Sequence, residues 1–346
     1  MGTLQTLLGV TLPIIQAPMA GVQDHKLTIA VSNAGGLGSL PCAMLSPDAL
    51  RKELTEIRAQ TTKPYNVNFF CHTPTAPIAE REALWRATLS SYYQELGLDP
   101  NAIQAGPGRL PFSAEAADVL SEFKPAVVSF HFGLPSAELL ARVRSWGGRI
   151  LSSATTVEEA LWLEAHGADA IIAQGLEAGG HRGMFLSDDL NTQIGTFALL
   201  PQIVRAVKVP VIAAGGIVDA KGVAAAMALG AAGVQIGTAY MLCPEATTSA
   251  LHRAALKSVA ARHTALTNLF SGRPARGIIN RLMTELGPIS TAPPAFPLAT
   301  AAIAPLRAKA ESQGSSDFSP LWSGQNASGC KEISAADLTR ELAAGL

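Results

Sequence analysis

A chain of 346 residues can bury a large core, either as one α/β barrel with additions or as two or three small domains. Charged residues make up 15%, against about 25% in ordinary soluble domains, and 48% are apolar, which excludes a disordered or fibrous chain. With 26 Lys and Arg against 27 Asp and Glu there is no overall field to collect nucleic acid or an anionic membrane surface, so a small molecule is the expected partner.

The N-terminus, MGTLQTLLGVTLPIIQ, has neither the basic segment nor the long apolar core of a signal peptide. The Ala-rich stretch 223–234 is shorter than the roughly 18 residues a membrane span needs. Cys42, Cys71, Cys243 and Cys330 lie far apart, without a C-x-x-C pair or a His at zinc-site spacing, so neither a disulfide framework nor a metal site is expected. A cytoplasmic protein with reduced thiols follows as the expectation.

Eight short apolar runs closed by Gly, Pro or a polar residue recur along the chain: 14–19, 36–41, 65–70, 126–132, 149–154, 170–175, 209–216 and 233–240. Helical patterns separate them. Ser46 caps and Pro47 opens the segment 46–60, while Thr155 or Thr156 opens and Gly167 closes another. Alternation of this kind implies parallel strands, and eight units imply closure into a (β/α)₈ TIM barrel, an α/β fold. An open doubly wound sheet is the runner-up, but no G-x-G-x-x-G follows the first strand. Two segments exceed the repeat. One is an excursion over about 71–113 after the third strand, helical at EREALWRATLSSYYQEL. The other is a mainly helical extension, 261–346, with helices at 297–313 and 334–344 around FSPLWSGQ, expected to pack over the mouth of a barrel spanning 1–260.

Barrel active sites lie at the C-terminal ends of the strands. The seventh run ends in Gly215-Gly216 before a helix beginning near Asp219, and the eighth ends in Gln235-Ile236-Gly237-Thr238. Either could be a tight turn; together, at the two ordinals where barrels commonly bind phosphate, they point to a phosphorylated ligand. Asn68 and Gln174 carry amides that could meet the edge of a heterocycle, or could satisfy buried loops instead. Small residues around Met19, in APMAG, would let backbone lie against a flat ring.

Of seven histidines, His25, His72, His166, His252 and His263 read as surface or satisfied groups. His131, in SFHFG, faces the same side of its strand as Ser129. His181 follows Gly179-Gly180 in EAGGHRGMF, where an exposed imidazole without bulky neighbours could lie over a bound ring. Both sit at strand ends of one mouth, which favours a catalytic reading.

The strings PIIQAPMAG, NAGGLGSL, YNVNFF, SFHFGLP, QGLEAGGHRG, AAGGI and QIGTAY, in that order from residue 13 to 240, with FSPLWSGQ near 318, resemble the nitronate monooxygenases, formerly called 2-nitropropane dioxygenases. QGLEAGGHRG with SFHFG is similar to their class I branch. The resemblance implies an FMN-containing barrel. It places phosphate contacts on Gly215, Gly216, Gly237 and Thr238, and ring contacts on Met19, Asn68, Gln174, Gly179, Gly180 and Gln235. It makes His181 the catalytic histidine and His131 a second one in the active site. Trp322 and Gln325 are suggested as substrate neighbours, and Arg182 as either an anion guide or a solvent-facing group. The implied reaction is oxidation of an alkyl nitronate such as propionate 3-nitronate by O₂, through a flavin semiquinone, to an oxo compound and nitrite. Detoxification is the role the family suggests, and a homodimer is the candidate assembly. Two alternatives stay open: an NAD(P)H-dependent flavin reductase of quinones or enoyl thioesters on the same fold, and a non-catalytic barrel that binds a phosphorylated metabolite.

Overall fold

The computed structural model describes residues 2–103, 108–344 and 346. Its strands are β1 (Ile14–Gln16), β2 (Gly38–Pro41), β3 (Tyr65–Phe70), β4 (Val127–His131), β5 (Arg149–Ala154), β6 (Ala170–Gln174), β7 (Gly180–His181), β8 (Val211–Ala214), β9 (Gly233–Ile236), β10 (Thr264–Thr267) and β11 (Ala275–Ile278). Eight of them form one parallel sheet in the order β1-β9-β8-β6-β5-β4-β3-β2. Its two edges meet: Leu37 N–H donates to the Ile14 carbonyl at 2.9 Å, and Gln16 N–H donates to the Leu37 carbonyl at 3.0 Å. The sheet therefore closes into the expected barrel, which leaves it without an exposed edge.

Each of the eight apolar runs supplies one barrel strand, but three stop short by two or more residues. The first ends at Gln16, the seventh at Ala214 and the eighth at Ile236, where 238–242 turns into a 3₁₀ helix. The freed residues, Ala17–Ala20, Gly215–Gly216 and Gly237–Tyr240, become loops of the mouth. The helices start where side-chain acceptors satisfy their first N–H groups: Ser46 accepts from Ala49 N–H at 3.2 Å, Thr156 from Glu159 N–H at 3.2 Å and Asp219 from Gly222 N–H at 2.8 Å.

The barrel interior is layered. Leu4 and Leu8 of the N-terminal helix cluster with Ile15, Leu37, Val127, Leu151, Ile172 and Ile212, an apolar plug drawn from successive strands. Each such side chain contributes roughly 1.5–3 kcal/mol on full burial. Above the plug the layer is polar. Asn66 Nδ2 donates to Ser39 Oγ at 3.0 Å and to Ser129 Oγ at 2.8 Å, and Ser39 N–H donates to Gln16 Oε1 at 3.0 Å. Gln16 in turn donates to Gln23 Oε1 at 2.7 Å, and that oxygen also accepts from Met19 N–H at 2.8 Å, which ties the loop after β1 to the barrel floor.

The later part of the chain covers the mouth. β10 and β11 pair antiparallel, and the free edge of β11 pairs with β7, with Ala275 opposite His181 and Arg276 opposite Gly180. The excursion helix 79–95 packs on helix 300–312: Trp85 Nε1 donates to the Ala299 carbonyl at 3.2 Å and the Tyr93 hydroxyl to that of Ala302 at 2.7 Å. The chain then returns to the barrel wall. Helix 335–343 lies between helices 25–33 and 220–228, and the Tyr240 hydroxyl meets Thr339 Oγ1 at 2.9 Å. The last helix thus fills the eighth helical place of the barrel after the mouth has been covered.

Helix 25–33 crosses β2 so closely that a Cβ on Gly38 would stand 2.0 Å from the Thr28 carbonyl oxygen. Gly38→Ala is expected to destabilise the fold by about 3 kcal/mol, the upper end of the overpacking range. Gly97→Ala, at φ +65 with nothing within 4 Å, should cost only about 1 kcal/mol. Urea unfolding followed by tryptophan fluorescence measures both.

Candidate active site

One cavity opens at the C-terminal ends of the barrel strands. It is bordered by all twelve residues singled out above: Met19, Asn68, His131, Gln174, Gly179, Gly180, His181, Gly215, Gly216, Gln235, Gly237 and Thr238. Trp322 borders it as well. Gln325 does not: its side chain is exposed, and it contributes only a backbone N–H, to the Glu177 carbonyl at 2.9 Å.

On the β8–β9 side, Gly215 and Gly216 take φ values of +119 and +74, a backbone that L side chains rarely adopt. Among the described residues, the N–H groups of Gly215, Gly216, Gly237 and Thr238 find no acceptor within the chain. The C-terminal segment braces these turns. Gly324 N–H donates to Thr238 Oγ1 at 2.9 Å, and Asn326 Nδ2 donates to the Gly216 carbonyl at 3.2 Å. Unpaired N–H groups on glycine turns suit an anion, and among the described residues no Asp or Glu borders the cavity to oppose one. This is a geometry that fits a phosphate.

The loop after β6 is held from below by Arg182. Its guanidinium is fully buried and donates to the carbonyls of Gln174 and Gly175, at 2.7 Å each, and to Gln193 Oε1 at 2.9 Å. It neither guides ligands nor faces solvent, because its donors are spent on the backbone under the loop. Burial pulls its pKa down to about 9. Glu177 clamps the other end. Its carboxylate accepts from Thr196 N–H at 2.8 Å and Thr196 Oγ1 at 2.8 Å, at the start of helix 196–206 where Gly195 has no capping side chain.

Between these clamps the His181 carbonyl accepts from Gln174 Nε2 at 2.9 Å and from His131 Nε2 at 3.1 Å. The second bond assigns the His131 tautomer: Nε2 carries the proton, and Nδ1 accepts from Ser153 Oγ at 3.1 Å. Gln174 Oε1 accepts from Gly183 N–H at 2.8 Å, and a Cβ on Gly183 would stand 2.8 Å from the His131 ring. His131 and Gln174 therefore position the loop.

The His181 ring is not surrounded by empty space. Phe70, Phe132, Phe296 and Trp322 stand around it with ring centroids 5.4–6.2 Å away, three of the four contributed by elements outside its loop and β4. The expectation of an imidazole without bulky neighbours held only for sequence neighbours. The aromatic wall arrives from distant chain. Burial, followed by the Arg109 charge, holds the His181 pKa well below its ordinary value, so the ring is neutral near pH 7. Its Nε2 lies 2.8 Å from Ser271 Oγ, and that hydroxyl donates to the Arg273 carbonyl at 3.3 Å. A proton on Nε2 satisfies this relay and leaves Nδ1 as the free lone pair.

Sequence reasoning missed several neighbours. His72, read as a surface or satisfied group, is buried edge-on to Phe296 at 4.8 Å, with no partner for Nδ1. Arg109 borders the cavity from the excursion after β3. Phe132 adopts φ +68, a strained conformation costing about 1–3 kcal/mol, beneath the Arg273 guanidinium at 4.2 Å. A string such as SFHFG carries no signal of that contact.

A closed (β/α)₈ barrel with a cavity at the strand C-termini, where amides, glycine turns and histidines gather against an apolar wall, is an architecture that enzymes use. A model of the nitronate monooxygenase family matches residues 2–345. Nitronate monooxygenase of Paraburkholderia phytofirmans is 45% identical, covering 98% of this chain and 93% of that protein. The Pseudomonas aeruginosa nitronate monooxygenase is 43% identical, with 97% and 96% covered. Among solved structures, nitroalkane oxidase from Streptomyces ansochromogenes superposes with a TM-score of 0.90 at 38% identity, covering 99% of this chain and 97% of that one. FabK from Thermotoga maritima gives 0.72 at 27% identity, with 99% and 94% covered. The chain belongs to the nitronate monooxygenase family, flavin-dependent oxidoreductases that oxidise nitronates. No helix of the described residues is long and apolar enough to cross a membrane.

Burial lowers the His131 pKa to about 4, with Arg273 and Arg182 adding to the effect against the hydrogen bond to His181. The unfolded chain takes up that proton near pH 6.5, the folded one only near 4. Stability is therefore full above about 6.5 and falls as pH drops toward about 4. In His131→Gln the fall across this window should be shallower, as measured by urea unfolding at a series of pH values; an unchanged slope would contradict the assignment.

Proposed function

We propose that the chain binds FMN in this cavity and oxidises alkyl nitronates, propionate 3-nitronate among them, with O₂ to an oxo compound and nitrite. The observation that carries the reading is the pair of glycine turns with unspent N–H groups, with the Gln235 amide beside them, sharing one cavity with a neutral histidine and the amide of Asn68. The N–H groups of Gly215, Gly216, Gly237 and Thr238 would hold the phosphate. Met19, Asn68, Gln174, Gly179, Gly180 and Gln235 would border the ring. Asn68 spends Nδ2 on Ser129 Oγ at 3.0 Å, so Oδ1 is the atom left to accept from a ligand N–H. Gln235 makes no side-chain hydrogen bond among the described residues and can offer both ends. Gln174 spends both ends on the loop and would contribute by shape.

Bound FMN supplies the redox chemistry, and the protein supplies position and charge. His181 is neutral, with Nδ1 unprotonated, and can take the proton from the carbon of a neutral nitroalkane. A nitronate has already lost that proton, so His181 serves it only by contact. The aromatic wall excludes water from the reacting carbon. The four cysteines are unpaired, which supports action in the reducing cytoplasm.

Flavin released from the purified protein is expected to have the mass of FMN, and anaerobic propionate 3-nitronate should change its spectrum while NADH leaves it intact. Rapid bleaching by NADH instead would favour the flavin reductase. His181→Asn should lower kcat/KM on neutral nitroalkane by about 10²–10⁴-fold and on nitronate by much less. Equal losses on both substrates would remove the base role.

A further inference from the structure

Among the described residues, Arg109 is the one charged side chain bordering the cavity. It lies in the excursion after β3, whose end is tied back to that strand by Phe112 N–H donating to the Phe70 carbonyl at 2.8 Å, and β3 lies across the closed barrel from β8 and its glycine turn. No Asp or Glu among the described residues pairs with it. Its Nη1 donates to Thr300 Oγ1 at 3.2 Å, a hydroxyl that itself donates to the Phe270 carbonyl at 3.1 Å. The guanidinium lies 5.7 Å from the centroid of Phe296, and the His181 ring lies 5.4 Å from the same centroid. Cation and histidine thus border one aromatic wall. A half-buried guanidinium with five donors, one of them spent on a neutral hydroxyl, is costly to keep unless an anion completes it.

We propose that Arg109 is a specificity-determining residue that binds a carboxylate on the far end of the substrate from its nitronate carbon, selecting nitronates that carry a second negative charge. The inference rests on the nitronate-oxidising reading and adds the group that chooses among nitronates. Guanidinium suits the task because its planar fork meets a carboxylate through two parallel N–H donors. The contact lies away from the reacting carbon, so it acts through binding and orientation.

Arg109→Met, Arg109→Gln and Arg109→Lys test this in the flavin-loaded protein. The ratio of kcat/KM for propionate 3-nitronate to that for propyl 1-nitronate should fall by about 10–100-fold in Met and Gln, mostly through KM. Lys, which keeps the charge but not the fork, should restore part of the ratio. Succinate, an unreactive dicarboxylate of similar length, reads the contact without turnover. By isothermal titration calorimetry its Kd should rise by about 10–100-fold in Met and Gln. An unchanged ratio with unchanged succinate affinity would overturn the proposal, as would equal losses on both nitronates. If the unmodified enzyme oxidises neither nitronate, the functional reading fails while the succinate titration still decides whether Arg109 binds carboxylate; should Met not fold, Gln carries the same comparison.

Discussion

The site depends on a buried cation beneath a loop. Arg182, without a carboxylate in hydrogen-bond contact, holds the carbonyls at the end of β6 and reaches Gln193. Gln193 donates to Thr155 Oγ1 at 2.9 Å, and that hydroxyl donates to Glu159 Oε2 at 2.7 Å. The charges at the two ends of this chain are thus joined through neutral groups. Removing one end of such an arrangement leaves an uncompensated buried charge, worth about 3–5 kcal/mol. Because Glu159 Oε1 also accepts from Phe185 N–H at 2.6 Å, the same network fixes both ends of the loop that carries His181.

From that constraint the rest of the mouth follows. With Arg182 turned inward, Gly180 and His181 stand as a short strand that β11 can pair with, and the His181 carbonyl points to His131 and Gln174. A Cβ on Gly179 would meet Gly324 N at 2.5 Å, so the C-terminal segment can press on the loop only because that position has no side chain. The two glycines serve two contacts, one against the covering segment and one toward the cavity. Arg109, Arg273 and Arg182 add to the burial that keeps the histidines neutral, and among the described residues no Asp or Glu borders the cavity itself. A cavity built this way favours anions while keeping its imidazoles free to accept protons.

Much of this was legible in the residues. The period of short apolar runs requires parallel strands, and eight of them closed as expected because a parallel sheet with helices outside buries both faces. That Gly215-Gly216 and Gly237-Thr238 border the mouth was readable because strand ends built from small residues leave room for backbone to approach a ligand. His181 was readable as a site residue from its place after two glycines. Its surroundings were not, since Phe70, Phe296 and Trp322 come from three separate parts of the chain and share no spacing with it. Arg182 looked like a candidate anion guide because the string HRG says nothing about which way the side chain turns.

The sequence by itself determined the barrel, the order of its strands and the strand ends where small and polar residues gather, because periodicity and turn chemistry are local properties. Only the tertiary structure decided that Arg182 faces inward, that His72 and Arg109 join the mouth, and that residues 335–343 fill the eighth helical place. Those outcomes turn on contacts between segments up to hundreds of residues apart, and burial, which sets the charge of each histidine, exists only once those segments have packed.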